Sequence, residues 1–401
     1  MKALLIATTP PDGTSSCQTG STNWTLRMCK VLHQEHEITL VTTQTAKEPW
    51  FLEASIPIIE HEPTPRNRFS RILSSIMHGI YPSIWTLYSQ DTSRYLRNLT
   101  SEAFDVCWLL DDYAGLYLRD IPQYLPTVFV RHYLFGMQDS FKPGQGLVSF
   151  LQGLFHRHTA IAYERWTTKR ANIVTFGTEE SCKFLRSIYP SNRIEYLPTK
   201  PFKRPIPTNV KNVNSPKGPN NRLIAAYLGD MSFVRNADGV RWFLKDVLSV
   251  MPEVLRKKYH FQFIGLKPDP VPQLDSLPSG SSVEFLGFVP DLTACLHRAQ
   301  VGFIPVFGGN GIRLKTLTLL GTALPTISTP DALEGLDLED GENILKASSS
   351  NDFLRAFEKL LEPEFRKAIS LNSLDSMDKF LGEDEDALKV LELSSSIVQS
   401  K

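Results

Sequence analysis

The chain has 401 residues, 42% of them apolar, and its 43 basic residues balance 43 acidic ones. That length exceeds the size at which one hydrophobic core keeps growing, so two domains are expected. The even charge gives no footprint for nucleic acid, aromatic and basic residues are not interleaved as in a strand-binding groove, and no run reaches the roughly 18–20 apolar residues of a membrane-spanning helix. The opening MKALLIATTPPDG is too short and unflanked for a signal peptide, so a cytoplasmic location is expected.

In chain order, residues 2–9 (KALLIATT) predict a buried first strand, followed by a loop with Pro10, Pro11, Gly13 and Gly20. A helix begins near Asn23, with Leu26, Met28, Cys29 and Leu32 on its apolar side, and residues 37–43 form the next strand. Further strands are expected at 56–59, 106–110, 127–130, 173–176 and 193–197, with helices between them; Glu179 and Glu180 suit a helix's first turn. Residues 198–221 collect Pro201, Pro205, Pro207, Pro216 and Pro219 without periodicity and mark a linker. Alternation then restarts, with strands at 223–228, 260–265, 283–288, 301–306, 324–328 and 344–346 and helices at 237–250, 292–299 and 353–361. The expected organisation is an N-terminal Rossmann-like domain (1–197), the linker (198–221), a C-terminal Rossmann-like domain (222–370) and an acidic helical tail (371–401). Such alternation builds α/β domains on doubly wound parallel sheets. Two of them facing across a cleft would put the site in that cleft, with a hinge that closes it and excludes water.

The chemistry concentrates in residues 301–329, VGFIPVFGGNGIRLKTLTLLGTALPTIST. Gly308, Gly309 and Gly311 allow a tight turn and close backbone approach to a ligand. A helix is expected from about Ile312, its unpaired N–H groups facing the loop. Arg313 and Lys315 oppose the dipole at a helix start unless a bound anion compensates them, so the loop is expected to hold a phosphate group, most simply a diphosphate. Ordinary solvated surface charge is the plainer alternative, but three glycines, two cations and the strand–loop–helix context coincide.

Other residue types say less. Cys17, Cys29, Cys107, Cys182 and Cys295 are widely spaced, without a C-x-x-C pair, and are expected as reduced thiols. His33 with His36, and His156 with His158, lack nearby ligands at metal spacing and are expected on surfaces or helix faces. Phe69, Ile72, Leu73, Ile76, Met77 and Ile80 keep helical spacing beside Arg66, Arg68 and Arg71. Packing on the first sheet is the preferred account of this stripe, as for most apolar helix faces; contact with an anionic bilayer at the inner face of the plasma membrane is the other. Leu147, Phe150, Leu151, Leu154 and Phe155 pose the same choice.

Several segments together resemble the retaining GT-B-fold glycosyltransferases of the family-4 type, glycosyl transferases group 1. In the second half these are YLGDMSFVRNADGVRWF (Tyr227 to Phe243), FQFIG (Phe261 to Gly265), VEFLGFVPDL (Val283 to Leu292), the glycine-rich loop, LPTIST and ALEGL (Ala332 to Leu336). The first half offers VRHY (Val130 to Tyr133), YERWTTKRANIVTFGTEES (Tyr163 to Ser181) and YLPTKP. The resemblance implies transfer of a hexosyl group from a nucleoside-diphosphate sugar to a glycan or lipid-linked acceptor, with retained configuration, no metal ion and no other cofactor. Cell-envelope or exopolysaccharide biosynthesis is the implied setting.

Residue by residue, it places Arg235, Arg313 and Lys315 on the departing diphosphate, where cations stabilise charge developing in the transition state. It places backbone around Phe288 and Val289 on the base, Gly13 where the first-half loop approaches the donor, and His132 on the transferred sugar. Gly309, Asn310, Gly311 and Ile312 complete the donor loop. Relatives usually carry glutamate where this chain has Thr318, accepting from the ribose; the other glutamate of their common pair falls at Asn310. A threonine hydroxyl replaces two charge-assisted contacts by one weaker one, a loss of about 1.5–3 kcal/mol or more than tenfold in binding unless Glu334 compensates.

Three classes stay open: the transferase, a catalytically impaired relative that binds a nucleotide sugar or a partner protein, and a nicotinamide-dependent oxidoreductase. Strand one is not followed by G-x-G-x-x-G, which weakens the last. Nucleotide-sugar epimerases are a minor alternative. Asp111 and Asp112 are adjacent on one strand end, point oppositely, and do not make a two-carboxylate glycosidase.

Overall fold

The computed structural model describes residues 1–10, 20–78, 80, 82–132, 147–198, 218–266, 277–308, 311–382 and 385–399. The chain divides into two compact units, one built from the N-terminal half together with Gly311 and the last helix, Glu385–Gln399, and the other from the remainder.

The first unit carries a seven-stranded parallel sheet: β1 (Lys2–Ala7), β2 (Glu37–Thr42), β3 (Ile58–Glu60), β4 (Val106–Leu109), β5 (Thr127–Arg131), β6 (Ile173–Phe176) and β7 (Arg193–Tyr196). Their spatial order is β3-β2-β1-β4-β5-β6-β7. Successive residues of a strand face opposite sides, so a sheet covered on both faces needs continuous apolar strands. β1 meets that requirement: Leu4 and Ile6 pack with Cys107, Phe129 and Tyr163, while Ala3, Leu5 and Ala7 pack with Trp24, Met28 and Trp108.

The second unit has six parallel strands, β8 (Leu223–Leu228), β9 (Tyr259–Ile264), β10 (Val283–Gly287), β11 (Val301–Ile304), β12 (Thr326–Ser328) and β13 (Leu345–Lys346), ordered β10-β9-β8-β11-β12-β13. Its core is aromatic. Phe243 lies 4.5 Å from Phe303 and 5.3 Å from Phe261, ring centre to ring centre, and the Tyr259 hydroxyl donates to the Phe357 carbonyl at 2.6 Å. In both sheets the order reverses beside the first strand, between β1 and β4 and between β8 and β11, which is where doubly wound sheets receive ligands at the strands' carboxyl ends.

The runs at 173–176 and 223–228 are strands as read from the sequence. The run at 301–306 pairs only to Ile304, because Pro305 has no N–H to give the ladder. Val306 stays buried, its carbonyl taken by the Thr329 hydroxyl. Most of the 198–221 linker lies outside the described residues; from Gly218 a small turn leads into β8, with the Gly218 N–H donating to the Arg222 carbonyl at 2.8 Å.

Four expectations need correction or refinement. In the region read as a tail, the helix Pro363–Gly382 belongs to the second unit, where Met377 packs against Leu317 and Leu320, whereas Glu385–Gln399 belongs to the first. Val390, Leu393 and Ile397 form a stripe at helical spacing buried beside Trp24 and Trp108. Asp386, fully buried, accepts from Arg27 Nε at 2.6 Å and Nη2 at 2.7 Å, and Trp108 Nε1 donates to Ser394 at 3.2 Å. The stripe on Arg68–His78 does not pack inward: Phe69, Leu73, Ile76 and Met77 are exposed, Ile72 half-buried, and only Ile80 beyond the helix end is buried. On the Leu147–Arg170 helix Leu154 is exposed and Phe155 half-buried; the side chains of Leu147, Phe150 and Leu151 lie outside the described residues. His33 is exposed, but His36 is buried in the turn before β2. Cys29, Cys107, Cys182 and Cys295 are free thiols, and burial pushes Cys29 and Cys182 up to about 12. Cys17 falls outside the described residues. No described helix is long and apolar enough to cross a membrane.

Candidate active site

The loop after β11 is pinned at several points. Gly308, at φ +65°, donates its N–H to Asp331 at 2.7 Å and its carbonyl accepts from Arg313 Nη2 at 2.8 Å. Gly309 and Asn310 lie outside the described residues. Gly311 follows at φ +89°, a left-handed conformation costly for any residue with a Cβ, and Arg313 is extended at φ −90°, ψ 111°. These two positions delay the helix to Leu314–Gly321, later than expected, so that Arg313 stands at its N-cap rather than inside the first turn. No acidic residue occupies that first turn and no side chain caps it. A cation at the positive end of a helix is unfavourable alone and compatible with a bound anion.

Lys315 lies one residue into the helix, half-buried at the switch point between β8 and β11. Its amine donates to Asn236 Oδ1 at 2.5 Å and to the Tyr227 hydroxyl at 3.3 Å, and sits 5.1 Å from the centre of the Tyr227 ring. Asn236 Nδ2 is committed to the Asp230 carbonyl at 2.6 Å, which fixes the amide with its oxygen toward the amine. Gly229 borders the same crowded space: a Cβ there would fall 2.9 Å from the amine and 2.8 Å from the Tyr227 hydroxyl, so one of these side-chain tips would have to shift. Burial and the neighbouring Arg313 push Lys315 down to about 7, against the opposing pull of Asp230. The helix bearing Asn236 is seated closely on the end of β11, since a Cβ on Gly239 would fall 1.9 Å from the Pro305 carbonyl oxygen.

The remaining second-unit candidates gather along the same carboxyl edge. Arg235, half-buried, precedes Asn236 in the first turn of the helix Val234–Trp242. Phe288 (50% exposed) and the half-buried Val289 follow β10, past Gly287 at φ +68°. Ile312 packs with Leu317 and Leu320, which leaves its backbone rather than its side chain for a ligand. Thr318 lies half-buried one turn beyond Lys315 on the same helix side. Glu334, half-buried, ends the turn Pro330–Leu333, which the Thr316 hydroxyl ties to this helix through the Ala332 carbonyl at 2.8 Å. Tyr227, Asn236 and Asp331 were not singled out from the sequence. Their partners are 88, 79 and 23 residues away, and no local pattern announces such contacts.

In the first unit Gly13 falls outside the described residues. His132 stands just past β5; its N–H donates to Asp112 at 3.1 Å, its ring meets Trp24 edge-on at 5.3 Å, and Nε2 is 3.3 Å from the Leu110 carbonyl. A carbonyl only accepts, so Nε2 carries the proton and Nδ1 of the neutral ring is an acceptor. Burial pushes His132 below its ordinary value, with the Leu110 carbonyl and Asp111 opposing, which keeps it in that neutral form. Asp111 and Asp112 do diverge. Asp111 accepts from the Thr8 N–H at 2.6 Å, the Thr8 hydroxyl at 2.7 Å and the Ala114 N–H at 2.8 Å, whereas Asp112 faces the buried Arg131 at 3.7 Å. Arg131 also pairs with Glu164 at 3.5 Å, and the Tyr163 hydroxyl donates to the Asp112 carbonyl at 2.6 Å. Both aspartates are thus engaged by groups of the protein itself.

Two α/β units of this kind constitute the GT-B architecture of glycosyltransferases. Residues 222–363 match the family model for glycosyl transferases group 1. Among solved structures, sucrose-phosphate synthase of Thermosynechococcus elongatus is 12% identical, with 100% of each chain covered and a TM-score of 0.68. HepE of Anabaena, solved in complex with UDP and glucose, is 11% identical, with 100% of each chain covered and a TM-score of 0.62. WaaG, a glycosyltransferase involved in lipopolysaccharide biosynthesis, is 15% identical over 98% of this chain and 99% of its own, with a TM-score of 0.62. No curated protein matches the sequence.

Proposed function

We propose that this protein is a retaining, metal-independent glycosyltransferase that moves a hexosyl group from a nucleoside-diphosphate sugar to a glycan or lipid-linked acceptor in cell-envelope or exopolysaccharide assembly. The observation that carries this proposal is the cationic pair Arg313 and Lys315 at the switch point of the second sheet, on a loop whose backbone is held open by Gly308 and Gly311. Arg313, Lys315 and Arg235 neutralise the leaving diphosphate, the task that a divalent ion performs elsewhere. Phe288 and Val289 receive the base, and Thr318 with Glu334 the ribose. Nδ1 of His132 accepts from a hydroxyl of the transferred sugar. Because both aspartates at the end of β4 are engaged by protein donors, the departing phosphate oxygen, not a side-chain carboxylate, takes the acceptor's proton on the same face.

The test is a donor panel, begun with UDP-glucose because HepE was solved with UDP and glucose. The purified protein is expected to release nucleoside diphosphate slowly from one donor without acceptor, and EDTA is expected to leave that rate unchanged. Binding without release, even with acceptor extracts added, would favour the impaired relative, for which Thr318 is the motive. Oxidation of NADH would revive the oxidoreductase.

The depressed Lys315 gives a pH signature. Its amine is charged in the ligand-free protein only below about pH 7, whereas the unfolded chain keeps the proton to its ordinary 10.5. Between these values the unfolded state holds more protons, so the penalty of this group on folding is full at the low end and fades as pH rises. Diphosphate binding runs the other way, because the anion favours the ammonium form. Nucleoside diphosphate is therefore expected to bind with proton uptake near neutrality and to weaken as pH rises from about 6 to about 9. Calorimetry in buffers of different ionisation enthalpy reads both effects; a flat profile, or one unchanged in Lys315→Met, contradicts the assignment.

A further inference from the structure

We infer that a cavity at the amino-terminal edge of the first sheet binds one uncharged pyranose unit of a glycan. The cavity has a volume of about 300 Å³, at the small end of ligand-sized pockets, and lies wholly within the first unit. Its walls come from segments that lead into three adjacent strands: Gln123 and Tyr124 stand before β5, Asn172 immediately before β6, and Arg193 opens β7. His132 stands past the other end of β5, so the cavity lies at the opposite edge of the sheet from the residue assigned to the transferred sugar. The inference therefore does not depend on the transferase proposal.

The lining residues are bound into the fold in a way that leaves oriented polar groups over. Asn172 Oδ1 accepts from the Thr127 N–H at 2.9 Å and from the Thr127 hydroxyl at 3.1 Å, which sets the amide and leaves Nδ2 as its unused donor. Arg193 donates from Nε to Glu195 at 3.0 Å and from Nη2 to Ser396 at 3.0 Å, so the guanidinium is held between β7 and the helix Glu385–Gln399 with Nη1 remaining. The Tyr124 hydroxyl donates to the Leu99 carbonyl at 2.5 Å, which anchors a residue that is 41% exposed. Gln123 is exposed and, among the described residues, its amide has no hydrogen-bond partner, so it offers both a donor and an acceptor. Ile173 and Ile397 add apolar lining.

This set matches a sugar ring. Each sugar hydroxyl both donates and accepts, which suits amide and guanidinium groups placed around an apolar wall, and the slightly positive C–H face of a pyranose suits the negative face of an exposed tyrosine ring. Charge argues against a free anion as the ligand. The cation lining the cavity, Arg193, is already paired with Glu195, whose other oxygen lies 3.9 Å from Lys389, so a carboxylate or phosphate would meet a carboxylate beside a guanidinium that is already neutralised.

Saturation-transfer NMR on the full chain reads the contact, with the methyl glycosides of glucose, galactose, mannose and N-acetylglucosamine as probes and inorganic phosphate as the anionic competitor. At least one glycoside is expected to receive saturation with a millimolar dissociation constant, undisturbed by phosphate and equal in Lys315→Ala. Tyr124→Ala should weaken binding about tenfold, whereas Tyr124→Phe should keep it within about twofold, because the ring and not the hydroxyl meets the sugar. Gln123→Ala removes no hydrogen bond within the protein and should weaken binding about threefold, which keeps the test intact if Tyr124→Ala unfolds early. No saturation of any glycoside at tens of millimolar overturns the inference, as does binding that phosphate displaces. Binding lost in Lys315→Ala but kept in Tyr124→Ala and Gln123→Ala also overturns it, since the sugar would then sit at the loop after β11.

Discussion

Replacing Arg313 or Lys315 with alanine is expected to lower donor turnover about a hundredfold or more, the usual consequence of removing one preorganised charge donor from a transition state. The two substitutions should differ in their structural cost. Lys315 sits beside Tyr227, Asn236 and Gly229 with its pKa pushed down to about 7, so its charge already strains the ligand-free fold, and Lys315→Ala should unfold no earlier than the parent near neutral pH. Arg313 holds the Gly308 carbonyl, and Arg313→Ala should lose about 1 kcal/mol through that hydrogen bond. Lys315→Arg separates charge from fit: the charge is kept, but the larger planar head must enter the crowded space between Gly229, Tyr227 and Asn236. It should therefore resemble the alanine variant in turnover. Measured release of nucleoside diphosphate beside thermal unfolding decides the matter. Parental turnover in both alanine variants would move the diphosphate site away from this loop.

Arg27→Ala is expected to destabilise the first unit by about 3–5 kcal/mol, the loss typical when one partner of a buried ion pair is removed. Asp386 is fully buried and Arg27 only 13% exposed, and the pair is bidentate at 2.6 Å and 2.7 Å, so solvent cannot replace the missing guanidinium without opening the helix Glu385–Gln399. Asp386→Ala should cost less, because arginine can extend its head toward water. Replacing both by leucine should recover much of the loss, since the desolvation of two charges is then avoided. Urea unfolding followed by tryptophan fluorescence suits this test, as Trp24, Trp85 and Trp108 are all buried in the first unit. A loss below about 1 kcal/mol for Arg27→Ala would show that the pair is effectively solvated.

The alternating strands and helices and the glycine-rich loop that leads into the helix Leu314–Gly321 were legible because each is a local pattern. A short apolar run such as 223–228, bounded by turn residues, fits a covered strand, and glycines between such a run and a helical repeat mark a strand–loop–helix junction. What escaped was pairing across elements. Lys315 next to Arg313 could be read, but not that Asn236 and Tyr227 fix its amine, because side-chain contact between two helices and a strand end is decided by packing. Periodicity gave the right helix at Arg68–His78 and the wrong side for its apolar face, since spacing shows that a stripe exists and says nothing about which phase covers it. The acidic look of the C-terminal region hid Val390, Leu393 and Ile397, whose burial was apparent only once Trp24 and Trp108 supplied the opposing surface.

The return of the last helix to the first unit also constrains how the protein is made. The strands β1 to β7 emerge early during synthesis, yet the surface containing Trp24 and Trp108 cannot be closed until Val390 to Ile397 leave the ribosome, after the entire second unit. Until that helix has been made, the first unit is an unfinished globule with an adhesive flank, and its maturation awaits a segment encoded beyond the whole second unit.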